Sequence, residues 1–111
     1  MEELEISLMQ IISYSGEARS LCFEALQSYR DGDKEAGRKQ YKDAEENLYT
    51  AKRAHSRILK QSANGEFDQI SLLMVHAEDQ MMASEIIYQM TRELFHCMSC
   101  LLYTSPSPRD C

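Results

Sequence analysis

Three long stretches with the hydrophobic period of an α-helix, separated by two short turn signals, constrain this chain more than any other feature. In the first, residues 3–30, apolar side chains recur every three to four positions. The second, 34–61, is highly charged with a narrow apolar stripe, and the third runs from Asp68 or Ser71 to about 98. Because short connections make neighbouring helices antiparallel, the pattern predicts an all-α, up-down-up three-helix bundle.

The residues of the two turn signals indicate where one helix ends and the next begins. In Asp31-Gly32-Asp33, the glycine suits a left-handed position after a helix, and Asp33 can cap the helix that follows. The segment 63–65, Ala-Asn-Gly, ends the second helix in a similar way. Either Asp68 or Ser71 can cap the third helix.

Length and charge exclude several classes of function. The 111 residues suffice for one domain. The net charge of −6 is spread along the chain, which argues against nucleic-acid binding, because phosphate contacts need clustered lysine and arginine. The acidic start lacks the features of a secretory signal, and no apolar stretch approaches the ~20 residues of a membrane span. We therefore expect a cytoplasmic protein with no direct membrane insertion.

The last twelve residues do not read like the rest of the chain. Residues 100–111 lack a helical period, contain the two prolines, and resemble the conceptual translation of a sequencing-library adaptor. We therefore predict a domain over residues 1–99, truncated at its C-terminus, followed by read-through that takes no part in the fold. Cys97 and Cys100 form a single C-x-x-C without the second pair of a zinc site, so structural or incidental cysteines are expected.

The third helix carries more apolar surface than a small bundle can cover. On a helical wheel, Ser71, Glu78, Glu85, Gln89 and Arg92 form one polar stripe, which we predict to face solvent. One apolar flank can pack on the other two helices, and the second flank would remain in water. An exposed patch of that size predicts self-association. The second flank consists of Leu72, Val75, Met82, Ala83, Ile86 and Met90.

Three polar residues, His76, Asp79 and Gln80, project opposite that polar stripe. One interpretation is an interfacial histidine satisfied by an interhelical hydrogen bond. The other is a phosphate-accepting histidine, which needs an unprotonated ring nitrogen and an oriented ring. The amide of Gln80, one turn away, can orient that ring or bind phosphoryl oxygens. If helices met on a threefold axis, copies of Asp79 would converge and need a hard cation or protons.

The segment 73–82, Leu-Met-Val-His-Ala-Glu-Asp-Gln-Met-Met, closely resembles the active-site helix of lactose/cellobiose-type enzyme IIA proteins of the bacterial sugar phosphotransferase system. A second match is 11–20, Ile-Ile-Ser-Tyr-Ser-Gly-Glu-Ala-Arg-Ser, and a third, weaker one is Ala-His-Ser at 54–56. The spacing of all three motifs agrees with the family, and the resemblance extends over residues 4–98.

This resemblance implies a homotrimer of three-helix subunits. It implies that His76 takes a phosphoryl group from the histidine-containing phosphocarrier protein and passes it to a cysteine of enzyme IIB, which phosphorylates a disaccharide of the cellobiose, chitobiose or lactose class during uptake. Gln80 stands where lactose-type members usually have a second histidine, which favours cellobiose or chitobiose. Asp79 matches an aspartate that gathers a divalent cation, expected to be Mg²⁺, at the trimer axis.

The other polar residues of the motifs are expected to be structural. We predict that His55 is structural or at the surface, that His96 is exposed, and that Arg19 and Glu17 support packing or pairing in the first helix. The alternative function is a non-catalytic trimeric helical interaction module. A non-haem metal enzyme ranks last, because the inner helix faces lack the Glu-x-x-His ligands that such sites need.

Overall fold

The computed structural model describes the backbone of residues 2–102 and the side chains of residues 2–99. It contains three helices, α1 over Glu3–Arg30, α2 over Lys34–Ala63 and α3 over Leu72–Leu102. The predicted limits of α1 are confirmed, α2 is two residues longer than predicted, and α3 extends to Leu102, beyond its predicted end near 98. Most of the predicted read-through, from 103 onward, lies outside the described residues, so the domain boundary at 99 stays a prediction.

Local side-chain chemistry sets the helix ends. Gly32 has φ +90° and Gly65 has φ +69°, the left-handed conformation that glycine adopts without steric cost. The Asp33 carboxylate accepts a hydrogen bond of 3.1 Å from the backbone N–H of Ala36, which confirms the predicted cap of α2. At α3, the hydroxyl of Ser71 accepts from a backbone N–H in the first turn, so Ser71 rather than Asp68 caps this helix.

Small residues let α1 and α2 pack closely as antiparallel neighbours. A methyl group added to buried Gly37 would lie 3.0 Å from the carbonyl oxygen of Ala25 and 3.3 Å from the ring of Tyr29. Alanines fill much of the rest of the core, whereas Leu59 of α2 is 54% exposed. The buried alanines are Ala18, Ala25, Ala44, Ala51, Ala54 and Ala77.

The third helix lies against α1, parallel to it, and touches α2 more sparsely. The hydroxyl of Ser84 donates to the backbone carbonyl of Ser15 at 2.8 Å, and farther along both helices Tyr29 and Ser99 share a 2.6 Å hydrogen bond. Because both contacts advance in the same chain direction, α1 and α3 are parallel. With α2 antiparallel to both, the predicted up-down-up order is confirmed. No helix in the described part of the chain is both apolar and long enough to traverse a bilayer.

The prediction that the polar stripe of α3 faces solvent is wrong for two of its residues. Glu78 and Glu85 are only half exposed and lie against α2, where they contact His55 and Lys52. The helical wheel specifies angles within α3 but does not specify where α2 passes. Since α3 leans on α1, its polar stripe lies along the flank of α2, and its second apolar flank faces away from the bundle.

Aromatic side chains pack together at the end of the bundle opposite to His55. The rings of Tyr41 and Tyr88 stack with centroids 4.7 Å apart, and Phe95 meets Tyr41 edge-on. The Tyr88 hydroxyl donates to a Glu45 carboxylate oxygen at 2.6 Å. Burial, followed by this hydrogen bond, raises the pKa of Tyr88 above its ordinary value. Burial likewise raises the pKa of the Cys22 thiol, consistent with a structural role for that cysteine.

Candidate functional site

The side of α3 that faces away from α1 and α2 is apolar and exposed. We call it the α3 outer face; the fractional exposure of five of its large side chains lies between 45% and 83%. This confirms that the second apolar flank of α3 is left uncovered within one chain. An exposed and largely apolar face of this kind is typical of a protein interface. The five residues are Leu72, Val75, Met82, Ile86 and Met90.

His76 lies at the edge of the α3 outer face, and its side chain is exposed. Among the described side chains, His55 is the histidine that forms a hydrogen bond or an ion pair, and His76 forms neither. A neutral imidazole in this position keeps a ring nitrogen lone pair open to an incoming group. Within the described part of one chain, therefore, the ring of His76 has no interhelical hydrogen bond.

Gln80, one turn along α3 from His76, is held from the opposite helix. An Arg19 guanidinium N–H donates to the Gln80 amide oxygen at 3.0 Å, and the same nitrogen lies 3.2 Å from the hydroxyl oxygen of Ser84. Arg19 was expected to support packing or pairing in α1; its contacts cross to α3, so it joins two helices rather than pairing within one. Sequence reasoning missed this role, although an arginine between apolar Ala18 and Leu21 was the available signal.

Asp79 is exposed on the α3 outer face. The ion pairs among the described side chains, Lys52–Glu85 and His55–Glu78, do not include it. The described part of one chain brings no three His, Cys, Asp or Glu side chains together as a metal site. The carboxylate is a hard oxygen donor, the kind of ligand that Mg²⁺ prefers, but one such group alone is not a metal site.

Of the two roles predicted for His55, structural or at the surface, its contacts favour the structural one. Its side chain is 15% exposed, and its ring Nε2 lies 2.5 Å from a Glu78 carboxylate oxygen, which ties α2 to α3. The ring also lines a cavity of about 270 Å³ whose walls include Ile58 and Met74. His96 is exposed, as predicted.

Fold and site together define a class, a three-helix protein that displays an unpaired histidine at the edge of an exposed apolar helix face. The family described as the lactose/cellobiose-specific IIA subunit of the phosphotransferase (PTS) system matches residues 6–99. The lichenan-specific phosphotransferase enzyme IIA component of Bacillus subtilis (strain 168) is 37% identical over 93 residues, which cover 84% of each chain.

Solved structures agree with this match. The PTS cellobiose-specific enzyme IIA from Bacillus anthracis superposes with a TM-score of 0.87 at 28% identity, over 95% of this chain and 96% of that one. The IIA(chitobiose) chain in its complex with HPr, from the Escherichia coli phosphotransferase system, superposes with a TM-score of 0.80 at 29% identity, over 93% and 100%. The chain therefore belongs to the lactose/cellobiose-specific IIA family and is a component of a phosphotransferase system, which confirms the resemblance in its motifs.

Proposed function

We propose that this chain is a phosphocarrier in which His76 accepts a phosphoryl group from the histidine-containing phosphocarrier protein and passes it to a cysteine of enzyme IIB. The observation that carries the proposal is the exposed, unpaired ring of His76 beside a Gln80 amide held by Arg19. Support also comes from the IIA(chitobiose)–HPr complex, since that IIA chain has the same fold.

The two transfers conserve both bonds and charge. In the first, the lone pair of an unprotonated His76 ring nitrogen attacks phosphorus, a new N–P bond forms, and the donor histidine recovers its own nitrogen lone pair as its N–P bond breaks. In the second, a cysteine thiolate of enzyme IIB attacks the same phosphorus, and His76 leaves with its lone pair restored. The exposed position of His76 leaves room for a protein partner at both steps.

Gln80 would stabilise the phosphoryl group without adding charge. Its amide lies one helical turn from His76, within reach of a group attached to that ring. A carboxylate there would repel the phosphoryl oxygens, whereas an amide N–H donates a hydrogen bond to them. This is a contribution of preorganised hydrogen bonding to phosphoryl transfer.

We further propose that three copies assemble through their α3 outer faces. Exposed Val75, Met82 and Ile86 would then leave water, and Asp79 from each copy would meet near the shared axis. Three clustered carboxylates repel one another unless protons or a hard cation neutralise them, so a bound divalent cation, expected to be Mg²⁺, would be held by Asp79. Bound there, the cation would supply charge neutralisation to the assembly.

One residue and two of the relatives support a substrate class, although a lactose-specific EIIA component is also among the relatives. Gln80 occupies the position that favours cellobiose or chitobiose over lactose, and similar relatives are specific for lichenan in B. subtilis and for N,N'-diacetylchitobiose in E. coli. We propose a cytoplasmic carrier that serves the uptake and phosphorylation of a β-linked disaccharide other than lactose.

The test is phosphorylation from radiolabelled phosphoenolpyruvate with purified enzyme I and phosphocarrier protein. We compare wild type, His76→Ala, and His96→Ala as a matched control, since His96 is an exposed histidine on the same helix. We expect base-stable, acid-labile label on wild type and on His96→Ala and none on His76→Ala. Unlabelled, folded wild type would refute the phosphocarrier and leave the non-catalytic interaction module as the better interpretation.

A further inference from the structure

The contact between Arg19 and Gln80 joins residues 61 positions apart and lies one turn from His76. Arg19 is partly buried between α1 and α3, and its guanidinium also contacts Ser84, which is fully buried. The Ser84 hydroxyl in turn donates to the backbone carbonyl of Ser15 on α1. The guanidinium, which extends from α1, is therefore held against α3 by two contacts, one of them to a buried hydroxyl that is itself bonded to α1.

A guanidinium has hydrogen-bond donors and no acceptor. Only the oxygen of the Gln80 amide can face Arg19 favourably, because the amide NH₂ would meet N–H groups there. The contact of 3.0 Å between the Arg19 nitrogen and the Gln80 oxygen is the favourable arrangement. Without Arg19, a glutamine amide on a partly exposed helix can rotate by half a turn and exchange its donor and acceptor ends.

The orientation of this amide decides how it interacts with a phosphoryl group on His76. With its oxygen held by Arg19, the amide keeps its two N–H donors available for phosphoryl oxygens, which are acceptors. The reversed amide would direct an oxygen toward those oxygens, which is repulsive. The positively charged guanidinium of Arg19 also polarises the amide and strengthens its N–H groups as donors.

We propose that Arg19 is a positioning residue for phosphoryl transfer at His76, acting through Gln80 by fixing the orientation of its amide. The inference rests on the proposed phosphocarrier function and deepens it. Arg19 contributes to the transfer step and leaves the docking of the protein partner unchanged, because its contacts are with Gln80 and Ser84 between the helices.

The test is a double-mutant cycle on the rate of His76 phosphorylation by the phosphocarrier protein, with Arg19→Met, Gln80→Leu and the double variant. Loss of a preorganised donor slows a reaction by ~100-fold or more, so loosening one should slow kcat by about ten-fold, with KM for the phosphocarrier unchanged. In the Gln80→Leu background, Arg19→Met should change kcat by less than about two-fold. Arg19→Lys should restore part of the rate, since an ammonium group also donates to the amide oxygen.

Two further variants separate positioning from packing. Lys52→Met removes the 2.8 Å ion pair with Glu85 on the other flank of α3 and should leave kcat unchanged. Gln80→Glu keeps a partner for Arg19 but presents an oxygen to the phosphoryl group, so it should be slower than Gln80→Leu. This variant tests the proposal even if Arg19→Met does not fold, which circular dichroism will show.

The outcomes are distinguishable. A labelled wild type with equal losses from Arg19→Met in both Gln80 backgrounds would overturn the positioning role and leave the phosphocarrier intact. So would a Gln80→Glu variant that is as fast as Gln80→Leu. Absence of label on folded wild type would instead refute the phosphocarrier itself.

Discussion

Replacing Ile86 with lysine tests whether the α3 outer face is the surface through which copies of this chain assemble. Ile86 lies within that face and is 58% exposed in the single chain, so it makes few contacts inside its own bundle. The substitution should leave the helices of one chain intact, because exposed positions change stability little. It should weaken any assembly that buries this face.

The expected loss of trimer stability can be estimated from the exposed fraction of the Ile86 side chain. Burying a whole isoleucine side chain is worth ~1.5–3 kcal/mol, so burying the 58% that one chain leaves exposed is worth about 1–2 kcal/mol. A trimer contains three such residues, which together contribute about 3–5 kcal/mol. The lysine variant loses this burial free energy, and its trimer must also desolvate three ammonium groups. We therefore expect the equilibrium for dissociation to shift by a thousand-fold or so, at ~1.4 kcal/mol for each factor of ten.

Sedimentation equilibrium over a range of protein concentrations measures this shift. Tyr49→Lys is the matched control, since Tyr49 is 62% exposed but belongs to α2 and is not a residue of the α3 outer face. Wild type and Tyr49→Lys should have the mass of a trimer where Ile86→Lys has the mass of one chain. If Ile86→Lys retained the wild-type mass at every concentration, assembly through this face would be wrong.

Three further predictions concern the proposed axis, the α1–α2 contact and the aromatic cluster. A chelator should lower the stability of the wild-type trimer and leave that of Asp79→Asn unchanged. A wild-type trimer whose stability does not change with chelator would count against the cation. Gly37→Ala should lower the free energy of unfolding in urea by about 1 kcal/mol: overpacking against the carbonyl of Ala25 costs ~1–3 kcal/mol, which exceeds the gain in helix propensity of ~1 kcal/mol. A stabilised Gly37→Ala variant would contradict that packing. The pKa of Tyr88 is raised in the folded state, so the stability it contributes is present below its ordinary pKa of 10.0 and is lost as pH rises above that value, when the unfolded chain ionises. Tyr88→Phe should therefore flatten the fall in unfolding free energy between about pH 9 and about pH 12, and parallel curves for the two proteins would refute the assignment.

Most of the secondary structure could be predicted because its causes are local. Helical period marks each helix, and the glycine and capping residues between helices set the limits of α1 and the start of α2. The sequence does not decide whether Asp68 or Ser71 caps α3, since both residue types can cap a helix. Only the structure shows that the hydroxyl of Ser71 accepts the capping hydrogen bond.

The residues of the candidate site come from the sequence motif, whereas the contact that holds Gln80 was not predicted. The motif around His76 indicated His76, Asp79 and Gln80, whose proximity along one helix is a matter of spacing alone. No local pattern indicated that Arg19 reaches Gln80, because that contact depends on how α1 lies beside α3.

The sequence by itself determined the three helices, their order and the family, since period, caps and motif spacing are properties of the chain. The tertiary structure decided which sides of those helices meet. It directs Glu78 and Glu85 toward α2, and it leaves His76 and the α3 outer face uncovered. The physical reason is that a helical wheel orders side chains around one axis, whereas exposure depends on where the other axes pass.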